Sequence, residues 1–169
     1  MRFYFTRMRS KDICPPRQPL KKIVWSWIGA FCGIYLVAGL AFYTAANPMG
    51  SMFVIGSFGA SAVLVYGAPL AEFSQPRNLI GGSVISALIG VAVYQVFTDY
   101  IVLACALAVS LSIALMYLTR TLHPPAGATA LIAVIGGENV HQLGFLYALM
   151  PVFLGTVLLL IVALVVNNL

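Results

Sequence analysis

The sequence predicts an all-α polytopic membrane protein with about six membrane segments, arranged as two related halves that each contain a short or broken helix. Hydrophobic residues make up 62% of the chain and charged residues only 8%, a composition that soluble domains do not reach. Long apolar stretches recur along the chain, and some are interrupted by glycine, proline or polar residues. These features favour one helical bundle embedded in a membrane.

The first 22 residues carry most of the positive charge. Seven of the nine Lys and Arg residues lie there, with a single acid, Asp12. Basic residues before a first apolar segment are typical of the cytoplasmic side, where they contact anionic lipids. We therefore predict a basic cytoplasmic N-terminal arm over residues 1–22 and a transmembrane domain over residues 23–169. The expected location is the bacterial cytoplasmic (inner) membrane, and the arm is expected to contact membrane lipids and no nucleic acid.

Four stretches are long enough to be complete spans, and the sequence indicates how some of them begin or break. The predicted spans cover about residues 23–46, 78–97, 100–118 and 143–166. Asn78 is a residue type that caps helix N-termini, so we expect it to cap the second of these spans. Pro151 lies inside the last span and should kink or break it.

Two further apolar stretches are short or interrupted. Residues 51–68 contain Gly56, Ser57 and Gly59, and the run that follows Pro125 ends at Gly136. A helix of about ten residues covers only about half of a ~30 Å hydrocarbon core. We therefore predict one short or broken helix in each of these two stretches.

The two short stretches share a motif. Residues 59–64 (GASAVL) and 127–132 (GATALI) are identical at three positions and conservative at the others. Each motif has a long span before it and a polar loop with another long span after it. This pattern predicts two halves of three segments each, inverted relative to each other in the membrane.

The few charges outside the arm favour six crossings over four. With the N-terminus inside, six crossings place Arg77 and Arg120 on the cytoplasmic side and Asp99 and Glu138 outside. Two re-entrant short helices would instead leave Arg77 outside.

His123 precedes two prolines that open the second short helix. Pro125 suits the first turn of a helix, and Pro124 favours an extended backbone at His123. A helix start offers unpaired N–H groups and a partial positive charge, which suit an anion. A titratable side chain at membrane depth is typical of a functional site.

We therefore predict a permeation site where the two short helices meet near the midplane, lined by Ser61, Thr129 and His123. The expected substrate-binding residues are His123, Pro124, Pro125, Gly127, Ala128, Thr129, Gly59, Ala60, Ser61, Arg120, Arg77 and Asn78. No nucleophile elbow, paired-carboxylate, HExxH or P-loop pattern occurs in the sequence, so we expect neither an enzyme nor a cofactor. The scattered cysteines have no metal-ligand spacing, so no metal site is expected either.

Two segments of the chain match a known family. The segments FGASAVLVYGAPLAEFSQPRNLIGGSVISALIGV and HPPAGATALIAVIGG resemble the HPP family of integral membrane proteins, named for the His-Pro-Pro that is His123-Pro124-Pro125 here. The resemblance covers roughly residues 20–166. Plant plastid and cyanobacterial relatives are regarded as nitrite transporters, which implies small inorganic anions, nitrite above all, as the substrate class.

Two other functions remain open at this point. The chain is alternatively a non-transporting assembly or sensor subunit whose basic arm contacts a cytoplasmic partner, or a neutral-solute channel of the urea or ammonia type. Glycine-rich helix faces favour close helix packing and a homo-oligomer.

Overall fold

The computed structural model describes residues 16–44 and 56–169, so the first 15 residues of the predicted arm and residues 45–55 lie outside the described part. Six apolar helices are described, numbered here in chain order. They are α1 Leu20–Thr44, α2 Gly56–Gly67, α3 Asn78–Val96, α4 Ile101–Thr119, α5 Ala126–Ile135 and α6 Ala148–Val166. Single helical turns lie at Glu72–Ser74 and Glu138–His141. The predicted all-α membrane class is confirmed.

Helix length separates the six helices into two groups. Helices α1, α3, α4 and α6 are long and apolar enough to cross a membrane, whereas α2 and α5 are shorter. The 10 residues of α5 cover only about 15 Å at ~1.5 Å per residue. The predicted combination of long spans and two short helices is therefore confirmed. Helix α1 begins at Leu20, so it includes Lys21 and Lys22.

Both described chain ends lie at the same end of the bundle. Lys21 Nζ donates a hydrogen bond to the carbonyl of Leu169 at 3.0 Å, and Asn167 Nδ2 donates to the carbonyl of Val65 at 3.0 Å. These bonds bring together the start of α1, the end of α2 and the end of α6. Between these two ends the chain therefore crosses the membrane an even number of times.

The remaining basic residues share that end. Arg77 directly precedes α3 and Arg120 directly follows α4, while Asn78 Nδ2 donates to the carbonyl of Leu122 at 2.8 Å and ties these two positions together. We call this the basic end, defined by Lys21, Arg77 and Arg120. Asp99 and Glu138 lie in the connections at the opposite end, which agrees with six membrane segments.

The last span of each half packs against helices of the other half. Helix α3, from the first half, packs against α4 and α5 of the second, and α6 packs against α1 and the end of α2. Close approach requires glycine at the first of these contacts: a Cβ at Gly90 of α3 would lie 2.5 Å from the carbonyl oxygen of Ala130 in α5. Gly155 of α6 contacts the Phe58 ring of α2 in the same way. Each short helix is thus enclosed partly by a span of the other half.

One predicted local feature is confirmed and one is wrong. Met150, before Pro151, has φ −132° and ψ 116°, which breaks the helical path at the start of α6 as predicted. Asn78 does not cap α3, because Arg77 is already helical at φ −59° and ψ −42° and no side chain bonds the N-terminal amides. The Asn78 side chain instead binds the connection between α4 and α5.

Candidate functional site

His123 lies in the connection between α4 and α5 and is completely buried, with 0% of its surface exposed. Arg120 ends α4 in the left-handed conformation, at φ 56° and ψ 39°. The chain then passes over the start of α3 at Gly82, where a Cβ would lie 2.5 Å from the Thr121 carbonyl oxygen and 2.8 Å from His123 Cβ. Glycine at this position therefore permits the close approach that buries His123.

Both ring nitrogens of His123 are hydrogen-bonded. Nδ1 lies 2.8 Å from the carbonyl oxygen of Phe73, and Nε2 lies 2.9 Å from Ser61 Oγ. A carbonyl only accepts, so Nδ1 carries the hydrogen and donates it. In the neutral imidazole Nε2 is then an acceptor, and the Ser61 hydroxyl donates to it. The ring therefore joins α2 to the connection between α2 and α3.

The surroundings of His123 favour its neutral form. The residue lies in a connection and not in a membrane-spanning helix. Burial lowers the pKa of its imidazole from the ordinary value of 6.5, and the hydrogen bond to the Phe73 carbonyl opposes this change. Burial acts this way because removal from water disfavours the charged form of a histidine.

The start of α5 offers no open row of backbone donors. Residues 124 and 125 are prolines and carry no N–H. The N–H groups of residues 126–128 donate to the carbonyls of residues 123–125, at 2.9, 3.2 and 3.1 Å in turn. The prediction of unpaired N–H groups at this helix start is therefore wrong, because the turn that the prolines open satisfies them locally.

The two hydroxyl residues of the repeat have different surroundings. Ser61 of α2 bonds His123. Thr129, at the matching position of α5, is buried, and its carbonyl accepts a hydrogen bond from the Tyr147 hydroxyl at 3.1 Å. The structure thus brings Ser61 to His123 and gives Thr129 a separate environment.

Several small residues predicted to line the site have no described close contact with His123. A Cβ at Gly59 would meet no described atom within 4 Å, and one at Gly127 would meet only Val109 Cγ1, at 3.9 Å. Ala60 and Ala128 are exposed on the outer faces of their helices. Within the described residues, no neighbouring backbone therefore comes within 4 Å of a Cβ at either glycine. Of the two prolines, Pro125 is buried beneath α5 and Pro124 is exposed.

Asn78 is buried and supplies an unused acceptor next to the His123 connection. Its Nδ2 donates to the carbonyl of Leu122, which fixes the orientation of the amide because a carbonyl only accepts. Its Oδ1 is buried and has no partner within the described part of the chain. Arg77 and Arg120 are exposed at the basic end, so they flank the site and do not line it.

Sequence reasoning missed two contributors to this site and one residue that anchors α5. The carbonyl of Phe73 orients His123, but a backbone group has no signature in the residue type. Gly82 allows the close approach, and its only signal was the Gly81-Gly82 pair at the start of α3. Tyr147 anchors α5, and a buried tyrosine that needs a partner for its hydroxyl was its only signal.

Comparison with known proteins places this arrangement in a family. The profile of the HPP transmembrane region matches residues 15–169. A transmembrane protein of Dictyostelium discoideum is 44% identical over 168 residues, covering 98% of this chain and 53% of the relative. A second one from the same organism is 47% identical over 161 residues, covering 94% and 56%. The chain spans about half the length of these relatives, and no solved structure matches it. The chain therefore belongs to the HPP family of integral membrane proteins.

Proposed function

We propose that this chain transports a small inorganic anion, nitrite above all, through the region around His123. The observation that carries the proposal is a completely buried histidine whose two nitrogens bond Ser61 of α2 and the carbonyl of Phe73. An apolar side chain would fill this position without the cost of burying a polar ring. Ionisable residues kept inside a membrane domain are typical of ion pathways and proton relays.

The distribution of charge supports an anion that enters at the basic end. Arg77 and Arg120 are exposed there, beside the connection that holds His123. Clustered positive charge raises the local concentration of anions and speeds their association. The same charges favour a cytoplasmic location for this end.

Self-association belongs to the same proposal. Only 17% of the most apolar part of α1 is buried, and a Cβ at Gly39 or Gly59 would meet no described atom within 4 Å. Small-residue helix faces of this kind let a second copy pack closely in a membrane. We therefore propose a homo-oligomer.

The geometry does not favour an enzyme. The 2.9 Å contact between Ser61 and His123 has the spacing of a nucleophile and its base. Acyl transfer also requires donors for the developing oxyanion. The N–H groups of residues 126–128, which lie next along the chain, already donate to carbonyls. We therefore propose that Ser61 and His123 take part in permeation and not in covalent chemistry.

A neutral-solute channel is the second candidate, and one observation favours it. Asn78 Oδ1 is buried without a partner among the described residues, and a free acceptor suits the N–H groups of urea or ammonia. A neutral His123 also adds no charge that would attract an anion.

A flux assay separates the two candidates. The purified chain in liposomes is offered nitrite, nitrate, formate, chloride and urea, one at a time. We expect nitrite uptake well above that of empty liposomes, lost in His123→Leu and kept in the control His141→Gln, whose histidine lies at the opposite end of the bundle. Urea uptake without any anion uptake would replace the proposal with the second candidate.

A further inference from the structure

The hydrogen bond between Ser61 and His123 determines where the hydroxyl hydrogen of Ser61 points. Nδ1 is committed to the carbonyl of Phe73 at 2.8 Å. Nε2 of the neutral ring therefore accepts, and the Ser61 hydroxyl donates across 2.9 Å. In this state the Ser61 hydrogen is unavailable to a ligand.

The other donors next to His123 whose hydrogen bonds are described are already occupied. The amides of residues 126–128 donate to local carbonyls, and the amide nitrogen of Asn78 donates to Leu122. The free oxygen of Asn78 is an acceptor and repels an anion. Among these groups, an anion that arrives while His123 is neutral meets only acceptors and occupied donors.

No described charge compensates a protonated His123. Its contacts from α2, from the Glu72–Ser74 turn and from the start of α3 are a hydroxyl, a carbonyl and a glycine. The charged side chains on the neighbouring segments are exposed: Glu72, Arg77 and Arg120. A buried imidazolium without a counter-ion is costly, and so is a buried anion without a donor.

We propose that the site binds one proton together with one monovalent anion. In this proposal the hydroxyl of Ser61 switches its hydrogen bond from His123 to the anion. This inference rests on the proposed function. A proton from the aqueous phase adds to the lone pair of Nε2, and the new N–H donates to Ser61 Oγ. Ser61 keeps its own hydrogen, which turns away from the ring and donates to the anion.

Release reverses these steps. The anion leaves, the proton returns from Nε2 to water on the other side, and the Ser61 hydroxyl donates to the ring again. No covalent bond forms apart from the N–H bond that is made and broken. Since one positive and one negative charge move together, the transport cycle is electroneutral. By thermodynamic linkage, protonation tightens anion binding to the same extent that the anion favours protonation.

The test uses the full chain in liposomes with nitrite as the probe. In one arm a pH gradient, acidic outside, is imposed without a membrane potential, and in the other a potassium–valinomycin potential is imposed without a pH gradient. We expect the pH gradient to drive nitrite accumulation and the potential to leave the rate unchanged. Controls in protein-free liposomes subtract the passive entry of nitrous acid. Uptake that follows the potential and ignores the pH gradient would overturn the inference but leave anion transport intact, whereas no anion uptake in either arm overturns both.

Variants of Ser61 test its assigned role. Ser61→Ala keeps the histidine but removes the donor to the anion, so the KM for nitrite should rise roughly tenfold or more, the worth of a hydrogen bond to a charged group. Ser61→Thr keeps a hydroxyl and should restore a KM near that of the parent. Thr129→Ser is the matched control on α5. A parental KM in Ser61→Ala, measured on protein that elutes as a single species in detergent, would show that Ser61 does not contact the anion.

Discussion

The two short helices α2 and α5 bury and expose matching positions of their shared repeat. Ala60 and Ala128 are exposed at matching positions, and the next residues, Ser61 and Thr129, are buried. The residues that precede the repeats differ. His123 stands before α5, whereas the corresponding position of the first half is Ile55. The two helices therefore share the burial pattern of the repeat, and the proposed site depends on a residue that the two halves do not share.

Gly82, beside His123, is closely packed, whereas Gly59 of α2 has no close described neighbour. This difference gives the largest expected effect. Gly82→Val places a branched side chain against the Thr121 carbonyl and His123 Cβ. It should lower the free energy of unfolding by about 3 kcal/mol or prevent folding, because backbone must move to make room. A Cβ at Gly59 would meet no described atom within 4 Å, so Gly59→Val should be mild. Thermal unfolding of the purified variants in detergent compares the two, and equal losses would contradict this difference.

The matching hydroxyls give the next largest effect. Ser61→Ala leaves Nε2 of buried His123 without a partner, which should cost about 1–3 kcal/mol of stability. Thr129→Val keeps the backbone carbonyl that accepts from Tyr147 and loses only a hydroxyl, so it should cost about 0.5–1 kcal/mol, the net worth of a typical hydrogen bond. Denaturant titration of both variants in the same detergent measures this difference. A larger loss for Thr129→Val would contradict this expectation, because the hydroxyl of Thr129 would then contribute more to stability than that of Ser61.

The tyrosines that anchor the two short helices give the smallest effect and should act alike. The Tyr66 hydroxyl of α2 donates to the carbonyl of Leu159 in α6 at 3.0 Å, and the Tyr147 hydroxyl donates to the carbonyl of Thr129 in α5 at 3.1 Å. Tyr66→Phe and Tyr147→Phe should each cost about 1 kcal/mol and leave nitrite uptake unchanged. Loss of uptake in either variant at parental stability would give that tyrosine a role beyond anchoring.

The sequence was sufficient for features that depend on composition and on strong local signals. Hydrophobic stretches predicted the membrane class, Pro151 predicted the break before α6, and the isolated His123 identified the candidate centre. Each of these signals is carried by the side chain itself, so the surrounding fold was not needed to find them.

The remaining features depend on which backbone groups meet. The donors at the start of α5 were predicted to be free, but local carbonyls of the proline turn accept from them. Asn78 was predicted to cap α3, but the fold brings the carbonyl of Leu122 within 2.8 Å of its amide. Carbonyl partners of this kind carry no residue identity, so neither contact is visible in the sequence.

His123 is proposed to be the titrating group of the transport site and not only a packing residue. The most direct test is the initial rate of nitrite uptake into liposomes between pH 5 and 8, for the parent and for His123→Gln, corrected for protein-free liposomes. Burial lowers the pKa of His123 below 6.5, so the parental rate should rise as the pH falls through and below that value. Glutamine keeps hydrogen bonding but does not titrate, so the rate of His123→Gln should be lower and nearly independent of pH. If His123→Gln matches the parent across this range, His123 is structural and the account is wrong.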